Sequence, residues 1–375
     1  MVKPSSTGLK AAPTAPVSAT PLSSGGQGVK VALLLPLSGP NAELGKAMLE
    51  AAQLALFTTG TDKLTLVPRD TTGTADGAAK AARSAIDDGA KLILGPLIAD
   101  EVVAVRPIAQ AANVNIIGFA TKTEVAGGNV FLMGFLPKQE VVREVAYARD
   151  QGLGRFAALA PNSPYGHLMG DALKDVATAA GGTVTRVEYF DTRGSDASAS
   201  IKRLLPATAA GPAAGAPFDA LLVPAGGEQL KQVAAQLRSA GVDPTRTRLL
   251  GSGLWDDPSI TSDPNLAGGW FAASPPDIRH EFESRFQGAY GRVPPRLASL
   301  GFDAAALAAV LAKSDSPDPF SAQAIQNPNG FTGVDGLFRF GADGLVQRGL
   351  AVLEVDPSGD KVVSPAPKSF QNLGY

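Results

Sequence analysis

Cysteine is absent from this chain of 375 residues, and histidine and tryptophan occur only twice each. Without thiols there is no disulfide, no thiolate nucleophile and no Cys-based zinc site. His167 and His280 are the only imidazoles, so a His-rich metal centre is excluded, and neither a metal nor a cofactor is expected. An excess of one charge is missing too. The 33 Lys+Arg face 35 Asp+Glu, and a formal net charge of −2 gives no electrostatic footprint for nucleic acid. Long apolar runs are also lacking. Val31–Leu35 is short, and no run reaches the about 18 residues of a membrane span, so no transmembrane segment is expected. Lack of cysteine does not by itself fix the compartment.

What is present suits a globular protein, with 45% hydrophobic residues in a length beyond one compact core. Two domains or lobes are therefore expected. Residues 1–28 differ from the rest: Lys3 and Lys10 are their only charges, among Pro, Ser, Thr, Ala and Gly. Such a segment buries too little apolar surface to offset its ordering entropy and reads as a flexible tether. It lacks the apolar core of a signal peptide, and we read it as the remnant of an export or lipoprotein leader.

From Val29 a strand-then-helix order repeats. Val31–Leu35 is a continuous apolar run, as in a strand covered on both faces. Asn41 is placed to cap a helix with Leu44, Met48, Ala51 and Ala55 on one stripe. Leu64–Val67 follows as a strand, then an Ala-rich helix from Thr74 to a left-handed cap at Gly89, then the strand Lys91–Leu94. Further helices stop near Gly152, Gly181 and Gly241, the first two of them before apolar or β-branched runs. This alternation predicts an α/β fold of two doubly wound, largely parallel sheets.

Three stretches suit crossings between lobes: Val130–Phe135 leading into Pro137, Ala272–Pro276, and the Gly/Asp-rich segment after the hairpin-like Leu337–Gly344. The expected division is residues 29–134 with 274–340 in one lobe and 135–273 with 341–375 in the other. Pro206–Pro217, rich in Ala, Gly and Pro, reads as a surface loop.

The catalytic signatures fail one by one. Five residues, not four, separate Gly39 from Gly45-Lys46, and Ala47 stands where a phosphate loop needs Ser or Thr. No strand leads into G-x-G-x-x-G, and no G-x-S-x-G is present. His280 reads as solvated surface, and His167, at a helix start after Tyr165-Gly166, reads as surface or cleft lining; without a plausible base a Ser-His-Asp catalyst is not expected. Asp256, Asp257 and Asp303 are carboxylates that nothing in the sequence pairs. Binding remains. In doubly wound sheets ligands lodge beyond the C-terminal strand ends, where helix N-termini present free N–H groups. Pro36–Asn41, Gly95–Asp100, Phe119–Thr123, Asn162–Gly166 and Ala225–Glu228 occupy such places. Ser38, Thr121, Thr123, Tyr165 and Trp255 can offer hydroxyls or an aromatic wall, although loop Ser and Thr residues also cap helices. Trp255 lies in a loop with few apolar neighbours in sequence.

The ordered set Leu35–Pro40 with Gly45, Arg69-Asp70-Thr71, Ala90–Pro96, Asn115–Gly118 and Pro164-Tyr165-Gly166 resembles the type I periplasmic solute-binding proteins, in their leucine/isoleucine/valine-binding branch. The resemblance runs from Val29 to Val355. It implies two lobes joined by three strands, closure on a small-molecule ligand without catalysis, and delivery to a membrane ABC permease in the periplasm. It points to Ser38, Leu97, Ile98, Ala120, Thr121, Thr123, Tyr165, Gly227, Trp255 and Asp256 as ligand neighbours. Leu97-Ile98-Ala99 stands where the branch usually has Ser or Thr and offers only backbone. The acid expected to meet an ammonium falls near Asp256, displaced by one or two places. A less polar ligand than an ordinary amino acid is therefore open, since an unpaired buried ion is costly. The penicillin-binding-protein activators resemble the same fold and contact a peptidoglycan synthase. A tether after a lipid-bearing Cys would match residues 1–28, so that partner is the alternative.

Overall fold

A computed structural model describes residues 28–193, 196–205 and 217–371. The tether reading, apart from Gly28, and the loop reading, apart from Pro217, fall outside these residues.

The chain builds its first half as β1 (Val29–Leu35), α1 (Ala42–Thr59), β2 (Leu64–Asp70), α2 (Ala75–Asp87), β3 (Leu92–Leu94), α3 (Ala99–Ala111), β4 (Asn115–Gly118) and β5 (Val130–Leu132). These strands form one parallel sheet in the order β2-β1-β3-β4-β5. A second half follows with α4 (Pro137–Asp150), β6 (Arg155–Pro161), α5 (Pro164–Ala179), β7 (Thr183–Phe190) and α6 (Ser198–Leu204). It continues through β8 (Ala220–Leu222), α7 (Gly227–Ser239), β9 (Arg248–Leu250), α8 (Pro258–Thr261) and β10 (Trp270–Ala273). The chain then returns to the first half with α9 (Pro276–Tyr290), α10 (Ala298–Ala312), α11 (Ala322–Ile325), β11 (Phe331–Gly333), β12 (Gly336–Phe340) and β13 (Val346–Arg348). It ends in the second half with β14 (Ala351–Glu354) and β15 (Lys361–Ser364). The second sheet runs β15-β14-β10-β9-β8-β6-β7, parallel except where β14 joins antiparallel to β10 and to β15. This is the expected two-lobe α/β architecture.

Each sheet is covered on both faces, which is why its strands are apolar throughout rather than alternating. Val31–Leu35 are fully buried, and each such Leu contributes about 1.5–3 kcal/mol of burial free energy. On one face of the first sheet lie α1 and α10, on the other α2 and α3. Helix α10 is apolar nearly all round because it is sandwiched. Its Gly301 is required by that sandwich, since a Cβ there would stand 2.3 Å from the Met48 carbonyl oxygen of α1. In the second lobe, α6 and α7 cover one face and α4 and α5 the other.

The sequence-level cap at Thr74 is realised, its hydroxyl accepting from Gly77 N, and Gly89, Gly152, Gly181 and Gly241 all take positive φ. Asn41 makes no side-chain cap bond; its carbonyl receives Gly45 N, and Gly39 at φ +79° turns the chain into α1. The third crossing also differs from expectation. Strand β13 pairs with β12, Val346 packs in the first lobe's core with Phe338 and Phe340, and Leu345 bridges to Leu132. Strands β11, β12 and β13 thus form a small antiparallel sheet of their own, packed on the first core. A hairpin reads as one local unit in sequence, but which lobe it packs on is decided by distant partners.

Candidate functional site

The three passages between lobes converge on the N-terminal half of α4. Pro137 opens that helix at a position where its missing N–H leaves no bond unmade. Side chains at 139, 140, 143 and 144 fall on adjoining faces and tie the helix to the other passages. Gln139 Oε1 accepts from Arg348 N at 2.9 Å, and Gln139 Nε2 donates to the Val346 carbonyl. Arg143 Nε donates to the Leu350 carbonyl at 2.8 Å and its Nη2 to Ser364 Oγ at 2.6 Å. Glu140 Oε2 accepts from Gly253 N at 2.9 Å, and Glu144 Oε1 from Ala272 N at 3.0 Å. Burial raises the Glu140 carboxyl to about 7 and Glu144 well above the ordinary carboxylate range, in each case against one backbone hydrogen bond.

Beside this helix Phe135 is held between two guanidinium groups, Arg296 at 4.0 Å and Arg348 at 4.8 Å from its ring centroid. Arg296 pairs with Asp335 at 2.8 Å and donates to Ser299 Oγ and Ser274 Oγ. Asp303 accepts from the backbone N–H groups of Val334 and Asp335. Desolvation pushes both acids up. For Asp335 the charges of Arg296 and Arg348 outweigh it and the group ends below its usual range, while Asp303, next to the ionised Asp335, ends above it.

Two cavities flank this joint. The larger, about 670 Å³, lies between Thr121–Glu124 and the β12–β13 hairpin of the first lobe, Tyr165 and Leu168 of the second, and the start of α4. The smaller, about 210 Å³, is bounded by Phe135, Glu140, Tyr165, Asp256 and Arg296. Tyr165 and Pro137 belong to both.

Of the residues expected around a ligand, Thr121 and Thr123 line the larger cavity, Asp256 the smaller and Tyr165 both. The remaining six line neither. Ser38 is bound to Asp70, whose Oδ1 also accepts from the backbone of Leu37 and Thr72. Leu97 packs at the edge of the first core, and Ile98 precedes α3 with its N–H given to Glu101. Ala120 is core, and Gly227 begins α7 at φ +56°. Trp255 is a correction to the sequence reading: it is fully buried in the second core and donates Nε1 to the Val223 carbonyl at 3.2 Å. Its neighbours in sequence are polar, but its neighbours in space are not. Asp256, expected to meet an ammonium, is already paired with Arg279. His167 is exposed, stacks on Tyr189 at 4.1 Å and meets Asn162, while His280 is exposed on α9. The sequence reading missed Gln139, Glu140, Arg143, Glu144, Arg296 and Arg348. The available signal was a helix carrying adjacent polar residues among Val141, Val145 and Ala148, more polar positions than a one-faced amphipathic helix needs.

Among the described residues no His, Cys, Asp and Glu cluster could hold a metal ion, and no helix is long and apolar enough to cross a membrane. A curated relative, an uncharacterized protein of Rickettsia prowazekii, is 23% identical over 164 residues; the match covers 44% of this chain and 43% of the relative's length. Among solved structures, a putative branched-chain amino acid ABC transporter protein of Rhodospirillum rubrum matches with TM-score 0.78 at 20% identity, over 90% of this chain and 100% of that one. A branched-chain amino acid transporter substrate-binding protein of Streptococcus pneumoniae, solved with isoleucine, gives 0.61 at 19% identity, over 90% and 100%. An ABC transporter solute-binding protein of R. palustris, solved with benzoate, gives 0.60 at 19% identity, over 91% and 97%. At these identities the likeness shows the fold. The periplasmic binding protein family model matches residues 28–361, and the chain belongs to that family.

Proposed function

We propose that this chain is an extracytoplasmic solute-binding protein that closes on a small amino-acid-like or less polar ligand and presents it to the membrane permease of an ABC transporter. The observation that carries the reading is the larger cavity, whose walls come from both lobes and whose floor is the joint around α4. A ligand there touches both halves at once, so it stabilises the closed arrangement over the open one. The lobes would divide as residues 29–132 with 276–348 and 137–273 with the strands after Leu350. The alternative partner, a peptidoglycan synthase, gains no support from the family or from the neighbours described above.

The reading is tested by adding amino acids, amides and small carboxylates while following melting temperature and small-angle scattering. A true ligand at a hundred times its Kd adds about 2.7 kcal/mol of stability and contracts the particle. Silence across the whole panel, with capture of a synthase by the same protein, would reverse the assignment.

A further inference from the structure

We infer that Pro365–Phe370 is a strap that ties the second half of the molecule to the first, with Phe370 as its anchor. This rests on the solute-binding reading for the movement of the halves and adds a tie that the chain itself supplies. The strap starts in the second half. Strand β15 ends at Ser364, beside β14 of the second sheet, and Arg143 of α4 holds that end. Its Nη2 donates to Ser364 Oγ at 2.6 Å and to the carbonyls of Ser364 and Pro365, each at 3.4 Å. Ala366 then packs on the second core. Pro367 lies over Gly349, where a Cβ would stand 3.0 Å from the proline Cγ.

A few residues on, the chain is seated in the first half. Phe370 is only 6% exposed, although Lys368, Ser369 and Gln371 around it are all exposed. One aromatic ring buried between exposed neighbours is a point of attachment, not part of a packed element. Its seat is made by residues next to the first core. Arg339 of β12 lays its guanidinium 4.4 Å from the ring centroid. That guanidinium is itself fixed, donating to Gln347 Oε1 at 2.8 Å and to the Pro328 carbonyl at 3.2 Å. Gly330 backs the ring so closely that a Cβ there would stand 2.7 Å from Phe370 Cε2. Between the two attachments, Pro365 and Pro367 have a fixed φ, so holding the segment in one conformation costs less entropy than for an ordinary linker. Phe370 also stands on the wall of the larger cavity. Parting the halves at that wall pulls the ring out of its seat and into water, so the strap favours the closed arrangement before any ligand arrives.

The test uses the lack of cysteine: a D100C/E228C pair takes two nitroxide labels at exposed positions, one on each half. Their distance distribution is measured by double electron–electron resonance without ligand, and is expected to be narrow in the labelled parent. F370A should raise the open fraction about tenfold. F370L, which refills the seat with an apolar side chain, should restore most of the closed fraction. A Gly-Gly-Ser-Gly insertion between Lys368 and Ser369 lets Phe370 reach its seat but slackens the strap, and should open the halves as F370A does. Should F370A fail to fold, the insertion variant, which keeps the ring, still decides. A ring that only fills a gap in the first half responds to F370A and not to the insertion, and that result overturns the inference. So does a parent distribution that is already broad, or one that neither change moves. The ligand panel judges the solute-binding reading separately, because these distances are taken with no ligand added.

Discussion

The two cavities share Tyr165 and Pro137, yet they treat charge differently. Around the smaller one the ionic groups are matched within the protein: Asp256 with Arg279, Arg296 with Asp335, Glu140 with the Gly253 N–H. Around the larger one, Lys122, Lys138, Arg143 and Arg348 outnumber Glu124 and Asp343. The difference separates two jobs. Ions that already have partners fix the geometry of the joint and have little to gain from an added molecule. An excess of cationic side chains leaves the larger cavity the one of the two whose charge balance an added molecule would change.

The comparison is broken most severely by taking away the counter-ion of Arg296. Asp335 is fully buried and is the only acid in ion-pair contact with Arg296 among the described residues. D335A removes that counter-ion and leaves a guanidinium uncompensated beside Phe135. The expected loss is about 3–5 kcal/mol, the usual cost of removing one partner of a buried pair. Urea unfolding should show a lower midpoint with an unchanged slope. A loss near zero would mean that solvent, not Asp335, balances Arg296.

The sheets, their parallel order and most helix ends were readable because each depends on local pattern. Continuous apolar runs mark strands covered on both faces, and glycines at positive φ such as Gly89 and Gly181 mark helix stops. The parts that escaped depend on distant partners. Leu337–Gly344 reads as a hairpin, but only the pairing of Val346–Arg348 with β12 and the packing of Val346 with Phe338 place β13 against the first core. Trp255 reads as a loop residue until Phe271 and Val223 are placed around it. Thr121, Thr123 and Tyr165 were named from strand-end positions and Asp256 from the family resemblance, and all four line one of the two cavities. The polar face of α4 was not legible, because Glu140 and Glu144 find their donors more than a hundred residues later. Arg348 was invisible for another reason: its buried place over Phe135 and Phe338 is set by the fold and not by its neighbours in sequence.

A milder perturbation acts through Glu140, at the edge of the smaller cavity. Burial raises its carboxyl from 4.5 to about 7, so the folded state binds a proton that the unfolded chain has released. The contribution to stability is fully present below about 4.5 and is lost as pH rises through about 7. E140Q keeps the acceptor for Gly253 N–H and removes the titration. Wild-type stability should therefore fall relative to E140Q between pH 4.5 and 7, then hold a constant gap above. Asp303 shifts in the same direction and is present in both proteins, while Glu144 is raised in part by the Glu140 charge, so the difference between the two curves reports Glu140 together with that coupling. Parallel curves would show that Glu140 does not titrate in this window.

The smallest expected effect sharpens the comparison at the residue the cavities share. Burial keeps the Tyr165 phenol protonated, and the hydroxyl is hydrogen-bonded to Ser252 in the second lobe. Y165F keeps the ring on both cavity walls and removes only that bond. Stability should drop by about 0.5–1.5 kcal/mol, the net worth of one hydrogen bond. Ligand affinity should stay within about threefold, because the ring still supplies its apolar face to the larger cavity. The two readouts move apart only if the hydroxyl serves the joint and not the ligand. A tenfold loss of affinity with little loss of stability would make Tyr165 a direct polar contact to the ligand, and the division of labour between the cavities would have to be redrawn around it.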